Sequence, residues 1–339
     1  MKTSHQIFYE DSCIMKSVPD NSVDLIVTSS PYPMIQMWDN IFTDEISQKI
    51  DESKGFDAFE LMHKELDKVR TQVNRVLKEW WIACINIWDA TRSIWWEFRL
   101  YNNHSRITQS FMRMWFSNLP NILRRKPTNS PNKFMWSWVL PVWAYVTLEH
   151  EYILIFRKGK KREFTTSIQK LNRQESAFFF EERNTWFRDA WEILWTKQKI
   201  WLEWIRDRNA SYPLEVPYRL INMFSVYWDT VLDPYLWTGT TTLAAMISWR
   251  NSIWIEIDAW FAPVVEEKLG FAKKLSHEIT KNRLSNHKKY IDSISKIKDL
   301  KYMNKYLWTP VVSWAEQNIK FYTINDVAWN VVSYDEFSL

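Results

Sequence analysis

The chain has 339 residues, of which 46% are hydrophobic and 25% are charged, and its formal net charge at pH 7 is +4. This composition is typical of a globular protein and excludes disorder over most of the length, because the apolar residues suffice to build a core. Two cysteines are too few for a disulfide framework or a four-cysteine zinc site, so a reducing, cytoplasmic environment is expected. No signal peptide is expected, and no apolar run approaches the roughly 20 residues of a membrane helix.

The chain contains 4 glycines and 23 tryptophans, whereas an average composition would supply roughly 24 glycines in this length. Several tryptophans stand where a turn usually requires glycine, among them Trp80, Trp81, Trp237 and Trp249. The codons UGA and GGA differ by one base. We therefore hypothesise that most of the tryptophans represent glycine. A lineage that reads UGA as glycine would give this pattern if its UGA codons were translated as tryptophan. The alternative is a tryptophan-rich protein.

The hydrophobic pattern predicts alternating strands and helices. Strands are predicted over 23–28, 82–87, 120–125, 144–156, 230–232 and 252–256. Helices are predicted over 56–78, 104–118, 217–226 and 240–248. The alternation predicts an α/β fold, in which a twisted and mostly parallel sheet carries helices on both faces.

Two stretches depart from this pattern. Residues 163–210 are polar and aromatic without a clear period, so we interpret them as an inserted segment. Residues 268–306 carry eleven Lys and Arg against three Asp and Glu. We therefore predict a basic helical tail over 271–339.

A loop of small and polar residues is predicted between the strand 230–232 and the following helix. Its sequence is Asp233-Pro234-Tyr235-Leu236-Trp237-Thr238-Gly239-Thr240-Thr241. Such a loop lets backbone N–H groups and the helix N-terminus approach a ligand closely. The next strand ends at Glu256, and an acid at such a strand end commonly receives ribose hydroxyls. The alternative is an ordinary helix-capping loop.

Another motif, Thr28-Ser29-Ser30-Pro31-Tyr32-Pro33, follows the strand 23–28. Because it comes earlier in the chain, we call it the first motif, and we call the loop 233–241 the second loop. It resembles the T-S-P-P-Y motif of amino-methylating DNA methyltransferases that use S-adenosylmethionine. With glycine at position 237, the later loop resembles the D-P-[FY]-x-G-[ST]-G-T-T motif of the same family. The catalytic motif comes first, as in the beta-type order, and the resemblance covers roughly residues 7–162 and 208–270. It implies a Rossmann-like methyltransferase fold with permuted motif order; a proline turn is the alternative for the first motif.

The resemblance implies a role for each residue of the first motif. Ser29 accepts a hydrogen bond from the amino group of a flipped base, Pro31 makes the loop rigid, and Tyr32 stacks on the base. Ser30 replaces the usual first proline, so either Ser29 or Ser30 is the polar contact. No covalent nucleophile is required, and Cys13 and Cys84 are expected in the core.

The resemblance also implies the cofactor site. S-adenosylmethionine is expected to contact Asp11, Asp233, Pro234, Tyr235, Trp237, Gly239, Thr240, Thr241 and Glu256. Asp11 is equally suited to cap a turn. The six histidines show no metal-ligand spacing, so no metal is expected.

Serine at the first motif position is the family's usual mark of cytosine-N4 methylation. The resemblance therefore implies a site-specific cytosine-N4 methyltransferase of double-stranded DNA, working beside a cognate restriction endonuclease. The alternatives are an adenine-N6 methyltransferase and a non-catalytic nucleic-acid-binding protein with the same fold.

The expected organisation has four parts. Residues 1–162 form the catalytic half, 163–210 recognise the target, 211–270 form the cofactor half of the same domain, and 271–339 form the tail. The basic clusters at 124–126 and 157–162 are expected beside the cleft, where they contact phosphates or simply face solvent.

Overall fold

The structure is a computed structural model that describes residues 1–42, 44–51, 54–95, 97–126, 146–193, 212–328 and 330–337. Its strands are β1 (Lys2–Tyr9), β2 (Val23–Ser29), β3 (Leu77–Ile87), β4 (Ala90–Ile94), β5 (Glu97–Tyr101), β6 (Phe116–Arg125), β7 (His150–Lys158), β8 (Ala190–Glu192), β9 (Thr230–Asp233), β10 (Asn251–Glu256), β11 (Tyr302–Met303), β12 (Pro310–Val311), β13 (Tyr322–Ala328) and β14 (Val331–Glu336). Its helices are α1 (Asp44–Asp51), α2 (Gly55–Val76), α3 (Asn103–Arg113), α4 (Ser167–Glu175), α5 (Phe180–Trp186), α6 (Glu215–Phe224), α7 (Thr240–Ile247), α8 (Ala262–Gly270) and α9 (Ala272–Ile294).

One large sheet organises the described residues, with strand order β13-β14-β1-β10-β9-β2-β3-β7-β6-β8. The five central strands β1, β10, β9, β2 and β3 run parallel to one another. β14 and β7 pair antiparallel on the two sides of this group. The carboxyl ends of the five parallel strands therefore lie at one edge, which we call the carboxyl edge.

The alternation of apolar side chains in β2 explains why both faces of the sheet are covered. Leu25 packs into the cluster that includes residues of α6 and α7, and Ile26 packs into the cluster that includes residues of α2 and α3. Every residue of β2 is buried, as expected for a central parallel strand. The predicted α/β fold with helices on both faces is confirmed.

Most predicted elements are present with shifted ends, and two expectations are wrong. The helix predicted over 104–118 ends at Arg113, because β6 already begins at Phe116. The tail is not helical throughout: after α9, strands β13 and β14 extend the central sheet, with β14 next to β1. In β14 the Tyr334 hydroxyl donates to the Met246 carbonyl at 3.0 Å, which ties the tail to α7.

The first part of the segment 163–210 packs against the tail. Arg283 of α9 pairs with Glu182 of α5 at 2.6 Å, and His287 lies 2.9 Å from Glu181. Residues 194–211 lie outside the described residues. The role of 163–210 in target recognition stays a prediction.

Cys84 is fully buried within β3, as expected, whereas Cys13 is only half-buried. Among the described residues, no helix combines the length and apolarity that a membrane span requires. Within those same ranges, no group of three or more His, Cys, Asp or Glu side chains is arranged to hold a metal ion.

Tryptophan occupies backbone positions that normally belong to glycine. Ten non-glycine residues with positive φ occur in the described residues, and seven of them are tryptophan: 80, 95, 115, 228, 237, 249 and 308. Left-handed backbone costs an ordinary residue roughly 1–2 kcal/mol. The hypothesis that tryptophan represents glycine predicts this concentration, and a tryptophan-rich protein does not.

Two of these positions are recognisable glycine motifs. After α7, the N–H of Trp249 donates to Met246 O at 3.2 Å and the N–H of Arg250 donates to Ala245 O at 2.9 Å. These two bonds form a Schellman motif, whose left-handed residue is usually glycine. Trp80 lies at a break in the pairing of β2 with β3, where a bulge favours glycine. Trp81, which the sequence also suggested as a glycine position, has no positive φ.

We expect Trp115→Gly and Trp308→Gly each to raise the free energy of unfolding by about 1 kcal/mol, because φ is positive at both positions. Both side chains are largely exposed, at 91% and 80%, so little packing is lost. Urea denaturation of the purified proteins measures the change. Trp314→Gly is the matched control, since Trp314 is exposed but has no positive φ; it should lower stability or leave it unchanged. Equal effects at all three positions would contradict the hypothesis.

Candidate functional site

The two sequence motifs meet at the carboxyl edge. β2 and β9 are direct neighbours, so Ser29 at the end of β2 lies beside the loop that follows Asp233. The Thr28 hydroxyl donates to Asp233 Oδ1 at 2.6 Å, which joins the two strand ends. The parallel order of the strands thus brings together residues that are about 200 positions apart in the chain.

The Asp233 side chain accepts hydrogen bonds from within the second loop. Its carboxylate also accepts from the N–H of Tyr235 at 3.0 Å and from the Thr241 hydroxyl at 2.5 Å. Burial raises the pKa of Asp233 to about 7, although the hydrogen bonds from Thr241 and Thr28 act in the opposite direction. Asp233 therefore fixes the loop through internal hydrogen bonds.

The loop itself has the backbone of a ligand-binding turn. Gly239 has φ +71°, and a Cβ there would lie 3.3 Å from Val265 of α8. Glu256 accepts the N–H of Trp237 at 3.0 Å, so the acid at the end of β10 supports the loop. Lys268 donates to the hydroxyls of Thr238 and Thr240 at 3.0 and 2.6 Å. Burial lowers the pKa of Lys268 to about 7.

The side chain of Trp237 lies between the two motifs. Its φ is +49°, its indole N–H donates to the Ser29 carbonyl at 3.1 Å, and its ring centroid is 4.5 Å from that of Trp38. The indole therefore takes up the space where the two loops face each other.

The first motif is held by its own side chains. The hydroxyls of Ser29 and Tyr32 lie 2.8 Å apart, and the Tyr32 side chain is only 5% exposed. Burial raises the pKa of Tyr32 far above its usual value, so the phenol remains protonated. Ser30 Oγ is buried without a hydrogen-bond partner in the described part of the chain, and Pro31 is buried beside it. Ser29, rather than Ser30, is the hydroxyl tied into this arrangement.

Sequence reasoning missed the polar residues that support Tyr32. Asn86 at the end of β3 donates to the Tyr32 hydroxyl at 2.9 Å and to Glu151 of β7 at 3.1 Å. Glu151 in turn pairs with Arg124 at 2.5 Å and with Lys126 at 2.9 Å. A single polar residue near the end of the apolar strand 82–87 was the available signal for Asn86.

The two basic clusters lie at opposite edges of the sheet, and only 124–126 is on the side of the first motif. Arg124 is fully buried in its pair with Glu151, so its predicted contact with phosphates is wrong. Residues 157–162 end the antiparallel strand β7, and Arg157 is level with Ile82, at the opposite edge from Ser29. Arg162 there pairs with Asp229 at 2.8 Å and lines a cavity of about 1060 Å³ away from both motifs.

Asp11 follows β1 at the carboxyl edge and is exposed. Its carboxylate accepts the N–H of Cys13 at 2.8 Å, which is the turn-capping arrangement. The neighbouring Ser12 hydroxyl donates to the Pro234 carbonyl at 2.5 Å, so this turn contacts the second loop. The predicted contact of Asp11 with a cofactor stays a prediction.

A cleft of about 490 Å³ opens next to the first motif. It is lined by Met34, Ile35 and Gln36, which follow the motif, by residues 88–93 after β3, and by residues 146–148 before β7. These segments adjoin the carboxyl edge. None of residues 28–33 lines the cleft, which borders the first motif through Met34.

The raised pKa of Asp233 predicts a pH dependence of stability. Between about pH 4 and pH 7 the folded protein retains a proton that the unfolded chain releases, so the free energy of unfolding falls as pH rises through this range. We expect Asp233→Asn to remove the contribution of Asp233 to this pH dependence, which is at most about 1.4 kcal/mol per pH unit. Urea denaturation at pH 5 and pH 7 measures it. The control Asp335→Asn changes an exposed carboxyl of β14 and should keep the wild-type dependence; an identical dependence in Asp233→Asn would contradict the assignment.

Comparison with known proteins agrees with this arrangement of motifs. The DNA methylase family of N6 and N4 enzymes matches residues 23–267. The chain is 44% identical to the type II methyltransferase M.MthZI of Methanothermobacter thermautotrophicus over 328 residues, which cover 95% of this chain and 91% of the relative. It is 48% identical to the type II methyltransferase M.MjaI of Methanocaldococcus jannaschii, over 80% of this chain and 93% of the relative.

Solved structures show the same fold. A Thermus thermophilus protein assigned as a DNA modification methylase, solved in complex with S-adenosyl-L-methionine, is 26% identical, with a TM-score of 0.61 over 79% of this chain and 94% of that one. PvuII DNA methyltransferase is 16% identical with a TM-score of 0.52, over 78% and 86% of the two chains. The chain therefore belongs to the family of DNA methyltransferases that methylate the N4 or N6 amino groups of bases.

Proposed function

We propose that the protein transfers a methyl group from S-adenosylmethionine to N4 of cytosine at a specific sequence in double-stranded DNA. The observation that carries the proposal is the position of Ser29. Ser29 lies at the carboxyl edge beside the second loop, and its hydroxyl is 2.8 Å from that of Tyr32. Serine at this place in the motif is the mark of cytosine-N4 enzymes in the family that the first motif resembles.

The chemistry needs acceptors for both N–H bonds of the target amino group. When they accept, the nitrogen lone pair turns out of the plane of the base and becomes available to a methyl donor. The Ser29 hydroxyl oxygen supplies one acceptor, and a backbone carbonyl of the motif supplies the other. Pro31 restricts the loop so that this geometry exists before the substrate binds. The base must leave the duplex to reach the motif, and we assign the 490 Å³ cleft as its entrance.

The residues at the second loop fit S-adenosylmethionine if position 237 carries no large side chain. When bound, this cofactor supplies an electrophilic methyl group. Glu256 presents a carboxylate, and Gly239 lets the backbone before α7 pass close to a ligand. The indole of Trp237, however, already contacts Ser29 and Trp38 in this space. We therefore propose that the functional protein has glycine at position 237.

We further assign target recognition to 163–210 and DNA contacts to the exposed lysines of α9. Lys274, Lys281 and Lys288 recur at intervals of seven on the exposed side of this helix. The type II names of the relatives support a cognate restriction endonuclease as partner.

Methylation is measured with purified protein that has glycine at position 237. Nucleoside analysis of the methylated DNA is expected to give N4-methylcytosine, whereas N6-methyladenine would overturn the base assignment. Ser29→Ala should lower the single-turnover methylation rate by about tenfold to a hundredfold, the value of one hydrogen bond to the reacting amino group. The affinity for S-adenosylmethionine should be retained. Ser17→Ala, an exposed serine that contacts Glu10, is the matched control. Cofactor binding without any methylation would favour a non-catalytic DNA-binding protein.

Trp237→Gly is expected to lower the Kd for S-adenosylmethionine at least tenfold, about 1.4 kcal/mol, because it removes the indole and the strained φ. Isothermal titration calorimetry measures the Kd. Trp308→Gly is the control: it also replaces a tryptophan of positive φ, yet it should leave the affinity unchanged. Tight binding by the unaltered chain would refute the proposal, as would tryptophan at position 237 in peptides from the source organism.

A further inference from the structure

A buried polar chain connects two cations to the catalytic motif. Arg124 and Lys126 bind the carboxylate of Glu151, Asn86 bridges Glu151 to Tyr32, and Tyr32 meets Ser29. Asn86 is 1% exposed and Glu151 is 2% exposed, so water does not compete with these bonds. Neither Asn86 nor Glu151 belongs to the two motifs identified in the sequence, 28–33 and 233–241.

The charge of Glu151 sets the direction of every bond in the chain. Burial favours the protonated carboxyl, but Lys126 and Arg124 outweigh it and hold the pKa of Glu151 below its usual value. An ionised carboxylate only accepts hydrogen bonds. Asn86 must therefore turn its NH₂ group toward Glu151, which agrees with its Oδ1 being the buried atom without a partner in the described residues.

The second proton of the Asn86 amide then points at the Tyr32 oxygen, 2.9 Å away. Because that oxygen is already an acceptor, the phenolic proton of Tyr32 is directed to Ser29 Oγ at 2.8 Å. The distance from Asn86 Nδ2 to Ser29 Oγ is 3.4 Å, and no amide proton remains for it. Ser29 thus receives one hydrogen bond of fixed direction, which orients its remaining lone pair.

We infer that Asn86 and Glu151 are positioning residues for methyl transfer: they fix the Tyr32 hydroxyl as a donor to Ser29 and thereby hold Ser29 Oγ as an oriented acceptor for the target amino group. The inference rests on amino-group methylation and applies equally to cytosine and adenine. It differs from a purely structural role because the effect of Asn86 must pass through the hydroxyl of Tyr32.

A double-mutant cycle tests this route. In protein with glycine at position 237, Asn86→Ala and Tyr32→Phe are each expected to lower the single-turnover methylation rate at least tenfold, while the Kd for S-adenosylmethionine stays within about twofold of the value without these changes. The double variant should be no more than about threefold slower than the slower single variant. Additive losses would show that Asn86 acts independently of Tyr32, and would overturn the inference.

Asn222→Ala controls for lost stability. Asn222 is also a buried asparagine, but it lies on α6 and bonds to Ser248 and Arg250. Its variant should lower the melting temperature and leave the methylation rate unchanged. If the rate falls in proportion to the melting temperature for both asparagines, the role of Asn86 is structural and the inference fails. These comparisons use rates of total methyl transfer, so they remain valid whichever base carries the product.

Discussion

The hydrogen bonds around Asp233 hold the two halves of the site together. Its carboxylate binds Thr28 at the end of β2, the backbone of the loop after β9, and Thr241 in the first turn of α7. The first motif and the second loop are about 200 positions apart in the chain, and this buried group links them directly. Desolvation raises the pKa of Asp233, so the link is made at a cost that its hydrogen bonds only partly offset.

Sequence reasoning predicted four of the five central parallel strands because the signals there are local, and it missed β1. The apolar run 23–28 and the strand 230–232 are each followed by a motif, and parallel pairing then brings both motifs to one edge. The antiparallel direction of β7 cannot be predicted from its own residues. Because of this direction, the cluster 157–162 lies at the edge of the sheet opposite the carboxyl edge. β13 and β14 were missed because their burial depends on pairing with β1, more than 300 residues away.

The same distinction explains which site residues were found. Ser29, Tyr32 and Gly239 belong to contiguous motifs with characteristic residues. Asn86 and Glu151 lie on β3 and β7, whose antiparallel pairing places them within hydrogen-bond distance of each other. Their relation exists only in the register of two strands about 65 positions apart, and no pattern in either strand specifies it.

The tryptophans with positive φ are positions where the local sequence disagrees with the backbone that the fold imposes. In natural sequences the residue at each turn normally agrees with the backbone that the fold imposes. Here the Schellman motif after α7 and the bulge in β3 keep the conformation of glycine, although tryptophan occupies both. The positive φ of Trp80 and Trp249 therefore supports the hypothesis that tryptophan represents glycine at these two positions.

At position 237, the disagreement between residue type and backbone affects the hydrogen bonding of Ser29. The indole N–H of Trp237 occupies the carbonyl of Ser29, while the hydroxyl of Ser29 is oriented from the other side by Tyr32 and Asn86. With glycine at 237, the carbonyl no longer has that donor, and Ser29 offers two acceptors on one residue. Two acceptors are what a target amino group requires for its lone pair to leave the plane of the base. Under the proposed function, the substitution that removes the indole from the cofactor space would therefore also free the second acceptor at Ser29.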